Sequence, residues 1–131
     1  MINTSITIKM NSVLFARVST REQAEEGYSL QAQEKLLNEY ALKRQFQIKK
    51  RFSIPESASG KQERKLFNQM VEYILTHNEI NIILCEKVDR ITRNFKDAVK
   101  LQDWLNENEN RQIHFVKQNL VIHKYSKSKG T

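Results

Sequence analysis

With a single cysteine, Cys85, the chain cannot form an internal disulfide, and its cysteine usage fits a reducing compartment. Cys85 ends an apolar run and reads as a small buried apolar residue. Proline and glycine are scarce, at one and three among 131 residues, a globular composition of helix-rich character. No apolar run approaches the roughly 20 residues a membrane-spanning helix requires. Met1 to Met10 lacks a long apolar core, so no signal peptide is expected. The three histidines, His77, His114 and His123, lie far apart without metal-ligand spacing, so structural or surface roles are expected and no metal site. The only Gly-Lys pair, Gly60-Lys61, lacks the upstream glycine and following hydroxyl of a Walker A loop, and no GxSxG is present.

What is abundant is positive charge. Twenty-two Lys and Arg against fifteen Asp and Glu leave a net charge of +7, which favours a polyanion, either nucleic acid or an anionic membrane surface. At 131 residues the chain suits one domain with one core.

Hydrophobic periodicity alternates between short apolar runs and amphipathic stretches. Residues 1–11 read as a flexible leader and 12–18 as a strand. Residues 19–28 form a polar loop, and a helix runs from Ser29 to about Gln45 with Leu30, Leu36, Leu37, Tyr40 and Ala41 as its stripe. Residues 47–52 read as a short strand and Pro55 to Gly60 as a turn. A helix from about Arg64 to Thr76 turns Phe67, Met70, Val71, Ile74 and Leu75 inward. Ile80 to Cys85 is the most strand-like run and the expected sheet centre. The next helix ends near Asn108, with Asn94 as N-cap, Asp97 three residues on, and Ala98, Leu101, Trp104 and Leu105 inward. Ile113–Val116 and Leu120–Ile122 are further strands. The order predicts a three-layer α/β fold: a largely parallel four- to five-stranded sheet with helices on both faces.

Two segments carry chemistry. In Phe15-Ala16-Arg17-Val18-Ser19-Thr20-Arg21-Glu22-Gln23, the strand delivers Arg17 and Ser19 to its C-terminal edge, where open α/β sheets bind ligands. Two residues apart on a strand, both face one way. A hydroxyl beside a guanidinium suits attack on a phosphate. In Asp89-Arg90-Ile91-Thr92-Arg93, helical geometry would put Arg90 and Arg93 on one face as a fork for phosphate oxygens, with Asp89 orienting one of them. An isolated DRxxR is ordinarily a solvated salt-bridge cluster. Yet cations at a helix start oppose the macrodipole, which hints at function, and Val88 and Ile91 suggest a docked segment. Arg64, opening a helix after a glycine-containing loop, is a third arginine; by itself it reads as a surface residue, and Gln33 as a solvent-exposed one.

Taken together these residues resemble the catalytic domain of serine recombinases, the resolvase/invertase family. The matching stretches are Ala16 to Gln23, Gly27-Tyr28-Ser29-Leu30-Gln31-Ala32-Gln33, Ser59-Gly60 with Arg64, and Asp89 to Arg93. They span residues 12 to about 123, and Gly27 to Leu30 is similar to the large recombinases of phages and mobile elements. The resemblance implies that Ser19 is the nucleophile that forms a 5′-phosphoserine on DNA. Arg17, Arg64, Arg90 and Arg93 would cradle the phosphate, Asp89 would position the arginines or assist proton transfer, and Gln23 and Gln33 would give supporting polar contacts. It implies no metal and no cofactor, DNA phosphates as partner, dimers and tetramers of the full-length protein, and a cytoplasmic, nucleoid-associated location.

The chain departs from the family in three ways. Phe15 stands where the family often has tyrosine. The Gly60-to-Arg64 interval is one residue short. The basic segment 124–131 stands where the family continues into a long helix and DNA-binding domains, so either a domain of a longer protein or a truncated gene product is expected. Two alternatives remain: a non-catalytic DNA-binding or regulatory remnant of a recombinase, and an unrelated phosphoryl-transfer enzyme with a phosphoserine intermediate.

Overall fold

A computed structural model of the chain describes residues 9–17, 30–54, 60–92 and 94–124. Their elements run β1 (Met10–Ala16), α1 (Leu30–Arg44), β2 (Phe46–Ser53), α2 (Gly60–Thr76), β3 (Ile80–Cys85), a 3-10 turn at Val88–Arg90, α3 (Phe95–Asn106), β4 (Gln112–Phe115), a 3-10 turn at Val116–Gln118, and β5 (Leu120–His123). The strands form one sheet in the order β2-β1-β3-β4-β5. Its first four strands pair in parallel and β5 is antiparallel to β4. A helix-bearing crossover precedes each parallel partner, as parallel pairing requires. Only the tight connection through Asn119, in the left-handed region at φ 51°, reverses the chain.

The sheet carries a core on each face. Leu14 and Ala16 of β1 with Ile82 and Leu84 of β3 pack against Leu37 and Ala41 of α1. On the other face Val13, Phe15, Ile83, Cys85, Ile113 and Phe115 meet Phe67, Met70 and Ile74 of α2 and Leu101, Trp104 and Leu105 of α3. Each fully buried large side chain contributes about 1.5–3 kcal/mol of transfer free energy. Ile80 and Ile82, two residues apart, lie on opposite faces. The β1–β3 register explains this: Asn11 pairs with Ile80 but Ser12 with Ile82, so a bulge at Asn81 shifts the alternation by one residue.

The expected three-layer α/β architecture is present, with β3 at the centre. Several boundaries differ. β1 begins at Met10, within the expected leader, because Met10 and Asn11 pair with Phe46 and Gln47; it ends at Ala16, one residue before Arg17. α2 starts at Gly60 rather than Arg64, since Lys61, Gln62 and Glu63 are good helix formers that extend it by a turn. Leu75 and Ala98 are exposed, and Tyr73 packs where Leu75 was expected. Val116 leaves the sheet to open the second 3-10 turn. The expected loop 19–28 and the segment 125–131 lie outside the described residues. Among the described residues no helix is long and apolar enough to cross a membrane.

Candidate active site

Arg17 follows the last residue of β1, at the C-terminal edge of the parallel sheet. Its main chain is held by Gln33 of α1: the Arg17 N–H donates to Gln33 Oε1 at 2.9 Å, and Gln33 Nε2 donates to the Arg17 carbonyl at 3.1 Å. Gln33 is therefore not the solvent-exposed residue that its polarity suggests. It is 1% exposed, because a strand that stops at Ala16 leaves the next peptide groups needing partners. The Arg17 guanidinium spans three elements. Nε donates to the Arg90 carbonyl at 3.0 Å, Nη2 to the Asp89 carbonyl, and Nη1 lies 3.4 Å from Glu63 Oε1 of α2.

Asp89 and Arg90 do not begin a helix. They form a 3-10 turn, and α3 starts only at Phe95, where Asn94 caps it by accepting the Asp97 N–H at 2.9 Å. The turn is pinned by Ile91, 2% exposed, and by the Val88 carbonyl, which accepts the N–H groups of Ile91 and Thr92. Nor is Arg90 half of an exposed fork, for it is almost fully buried. Its Nε donates to Glu86 Oε1 at 3.3 Å and its Nη1 to Asp89 Oδ1 at 3.3 Å. Glu86 is fully buried directly after β3, with Lys117 Nζ 3.6 Å from its second oxygen. A carboxylate so placed is tolerable only because cations pair with it. The neighbouring Cys85 is buried as expected, and burial pushes its thiol pKa well above the ordinary value, with the Asp89 charge adding to the effect.

Arg64, in the second turn of α2, grips Asp97 with both Nη atoms, Nη1 at 2.8 Å. Its guanidinium lies over the Phe67 ring at 5.0 Å, and Phe67 meets Phe15 edge-on. The hydrogen bond that Arg64 donates to Asp97 raises its pKa, overcoming the lowering effect of burial.

Of the residues expected at the site, direct hydrogen bonds thus bring Arg17, Gln33, Asp89 and Arg90 together. Arg64 is anchored to α3 one residue from Glu63, which touches Arg17. Ser19, Gln23 and Arg93 lie outside the described residues. Sequence reasoning missed the carboxylates: Glu63 on Arg17, Glu86 on Arg90 and Asp97 on Arg64. Glu86 could have been found as the acid four residues before Arg90. Asp97 was visible only as a capping-box position, and Glu63 gave no signal. Chemically, the edge offers guanidiniums fixed by carbonyls and carboxylates, an arrangement suited to holding a phosphate.

Residues 12–130 match the family described as Resolvase, N terminal domain. The fold is similar to the crystal structure of the N-terminal catalytic domain of TP901-1 integrase, with a TM-score of 0.67 and 25% identity, covering 85% of this chain and 81% of that one. It is also similar to a resolvase family site-specific recombinase from Streptococcus pneumoniae, with a TM-score of 0.68 and 26% identity, over 86% and 76% of the respective chains. Over 73 residues the chain is 37% identical to "Uncharacterized immunity region protein 3" of Bacillus phage phi105, spanning 56% of this chain and 84% of that protein. With the parallel sheet and the joined Arg17 and Asp89-Arg90 segments, these matches show that the chain belongs to the resolvase family of serine recombinases, as a catalytic-domain fold.

Proposed function

We propose that the domain performs the covalent step of site-specific DNA recombination. Ser19 Oγ attacks a backbone phosphorus; the Oγ–P bond forms as the bond to the 3′ oxygen breaks. The products are a 5′-phosphoserine and a 3′-hydroxyl, which takes the proton. Arg17, Arg64, Arg90 and Arg93 bind the phosphate and the charge developing on it, Asp89 positions arginines, and Gln23 and Gln33 support them. A serine hydroxyl is a weak nucleophile, and fixed cations lower the barrier electrostatically. The phosphoserine stores the broken bond, so exchange and religation need no energy cofactor. Dimers and tetramers of the full-length protein, acting on DNA in the nucleoid, complete the reading.

The observation that carries the reading is the bonding of the Arg17 guanidinium to the carbonyls of Asp89 and Arg90. It supports the reading because Arg17 precedes Ser19 by two residues in sequence and Arg90 precedes Arg93 by three. The test is incubation of duplex DNA with the wild type and with Ser19→Ala, followed by a denaturing gel. A covalent adduct is expected only with the wild type. An adduct with the alanine variant overturns Ser19 as nucleophile.

One observation favours a second reading, a non-catalytic DNA-binding or regulatory module: the phage relative is named for an immunity region. Phe15, buried against Phe67 where the family often has a tyrosine hydroxyl, points the same way. Salt-dependent DNA binding with no adduct, even after fusion to a working DNA-binding domain, would establish it.

A further inference from the structure

The described arginines of the site each pair with a carboxylate: Arg17 with Glu63, Arg64 with Asp97 and Arg90 with Glu86. The opposite holds at the sheet edge formed by β2. Residues 43–51, from the last turn of α1 into β2, hold Lys43, Arg44, Lys49, Lys50 and Arg51 and no acid. All five are exposed. Among the described residues none of the five has a carboxylate partner. Uncompensated charge of one sign along an exposed edge creates a field that attracts a polyanion.

The edge is also shaped. β2 is the terminal strand, so its outer main chain is unpaired by any described strand and can donate to phosphate oxygens. The β1–β2 register passes from Ser12–Ile48 to Val13–Lys50, so Lys49 is the extra residue of a bulge. Bulges at sheet edges re-aim side chains and interrupt pairing. Two guanidiniums are already ordered: Arg44 lies over the Tyr40 ring at 4.7 Å, and Arg51 Nη2 donates to Asn38 Oδ1 at 2.9 Å. Ser53 pairs with Ala16, next to Arg17, so Arg51 stands two residues below the catalytic edge.

We propose that the β2 edge, with Lys43 and Arg44 of α1, is a second DNA-backbone surface that holds duplex flanking the site. The inference rests on DNA being the substrate, but not on covalent chemistry. It reads only phosphates, so it adds affinity without sequence preference.

Edge lysines also guard strands against pairing with other chains, and charge reversal separates the two roles, because a glutamate guards equally well but repels phosphate. The test compares wild type, the double variant Lys49→Glu with Lys50→Glu, and a control with the same change in net charge on α3 and the connection that follows it (Lys100→Glu, Asn106→Asp, Asn110→Asp). Each is titrated with a fluorescent duplex of arbitrary sequence across a salt series, after melting curves confirm that all three fold. The β2 variant is expected to lose affinity about tenfold or more, and its log–log salt slope to fall by about 2. The control should stay within a few-fold of wild type. Equal losses in both variants, an unchanged β2 variant, or a wild type that binds no duplex overturns the proposal. Failure of the wild type to form an adduct, with these binding differences intact, would sink the Ser19 reading alone.

Discussion

Gln33 and Arg17 form a two-point clamp in which one buried side-chain amide satisfies both the N–H and the carbonyl of the residue that follows β1. A primary amide carries a carbonyl acceptor and an N–H donor side by side, and asparagine, the other amide side chain, is one methylene shorter. Gln33→Ala should cost about 2–4 kcal/mol, the sum of two lost bonds and two desolvated groups left without partners. Urea unfolding measures that cost. Gln33→Glu keeps an acceptor, loses the donor and buries an unpaired charge against the Arg17 carbonyl, so at neutral pH it should destabilise at least as much as alanine. A loss under 0.5 kcal/mol for alanine, within the usual range of surface substitutions, would show that water replaces the clamp.

Glu63 Oε1 lies 3.4 Å from Arg17 Nη1, on an edge that a phosphate oxygen would need if Arg17 binds phosphate as proposed. Nε and Nη2 of Arg17 are committed to main-chain carbonyls, so Nη1 is the edge on which an incoming anion competes with Glu63. Glu63→Gln removes the competing charge and retains the shape. Duplex affinity should rise several-fold, and the covalent adduct should form faster if chemistry follows the proposed route. Weaker binding in this variant would mean that Glu63 orders Arg17 rather than opposing the phosphate.

Arg90 and Glu86 form the most buried ion pair described near the site, the carboxylate fully buried and the guanidinium nearly so. Removing one partner of such a pair costs about 3–5 kcal/mol, because the remaining charge is stranded. Arg90→Ala should therefore lower the melting temperature sharply, and loss of activity in it would mix folding with chemistry. Adding Glu86→Gln should recover part of the stability, and a double-mutant cycle by urea unfolding reads the coupling. Additive effects of the two substitutions would contradict the pairing.

The parallel sheet with β3 at its centre and the two packed faces were largely legible in the sequence because burial imposes period and length directly. Val13 to Ala16 and Ile82 to Cys85 are near-continuous apolar runs, as strands buried on both faces must be. The arginines of the site could be listed from their motifs, but not their settings. Arg90 was expected on a helix face, and the segment instead makes a 3-10 turn because Ile91 docks into the core before Asn94 can start α3. Gln33 looked like one more polar residue on a helix, and only the end of β1 at Ala16 reveals what it bonds. Glu63 and Asp97 are ordinary acids in sequence; each acquires meaning from an arginine that is remote along the chain, and pairing at that range has no local signature.

His114 supplies a dependence on pH outside the arginine cluster of the site. It lies on β4 facing α1, with its Nδ1 2.7 Å from the Tyr40 hydroxyl and its Nε2 2.8 Å from Gln112 Oε1. An amide oxygen can only accept, so Nε2 carries the proton, and Nδ1 is left to accept from the tyrosine hydroxyl. Both bonds are satisfied by the neutral ring, and a second proton would displace the Tyr40 donor. Burial first, and then the nearby Arg44 charge, lowers the His114 pKa to about 4. Because the unfolded ring titrates near the ordinary value of about 6.5, the unfolded state binds more protons between these two values, and stability falls as pH drops through that window. The full loss is on the order of 3 kcal/mol once pH passes below the folded value, and none of it is felt above pH ~7. Urea midpoints measured from pH 7.5 to 4.5 should decline for the wild type and decline less for His114→Gln, which has no proton to gain. Parallel curves for the two proteins would place the acid sensitivity in the carboxylates and remove His114 from the account.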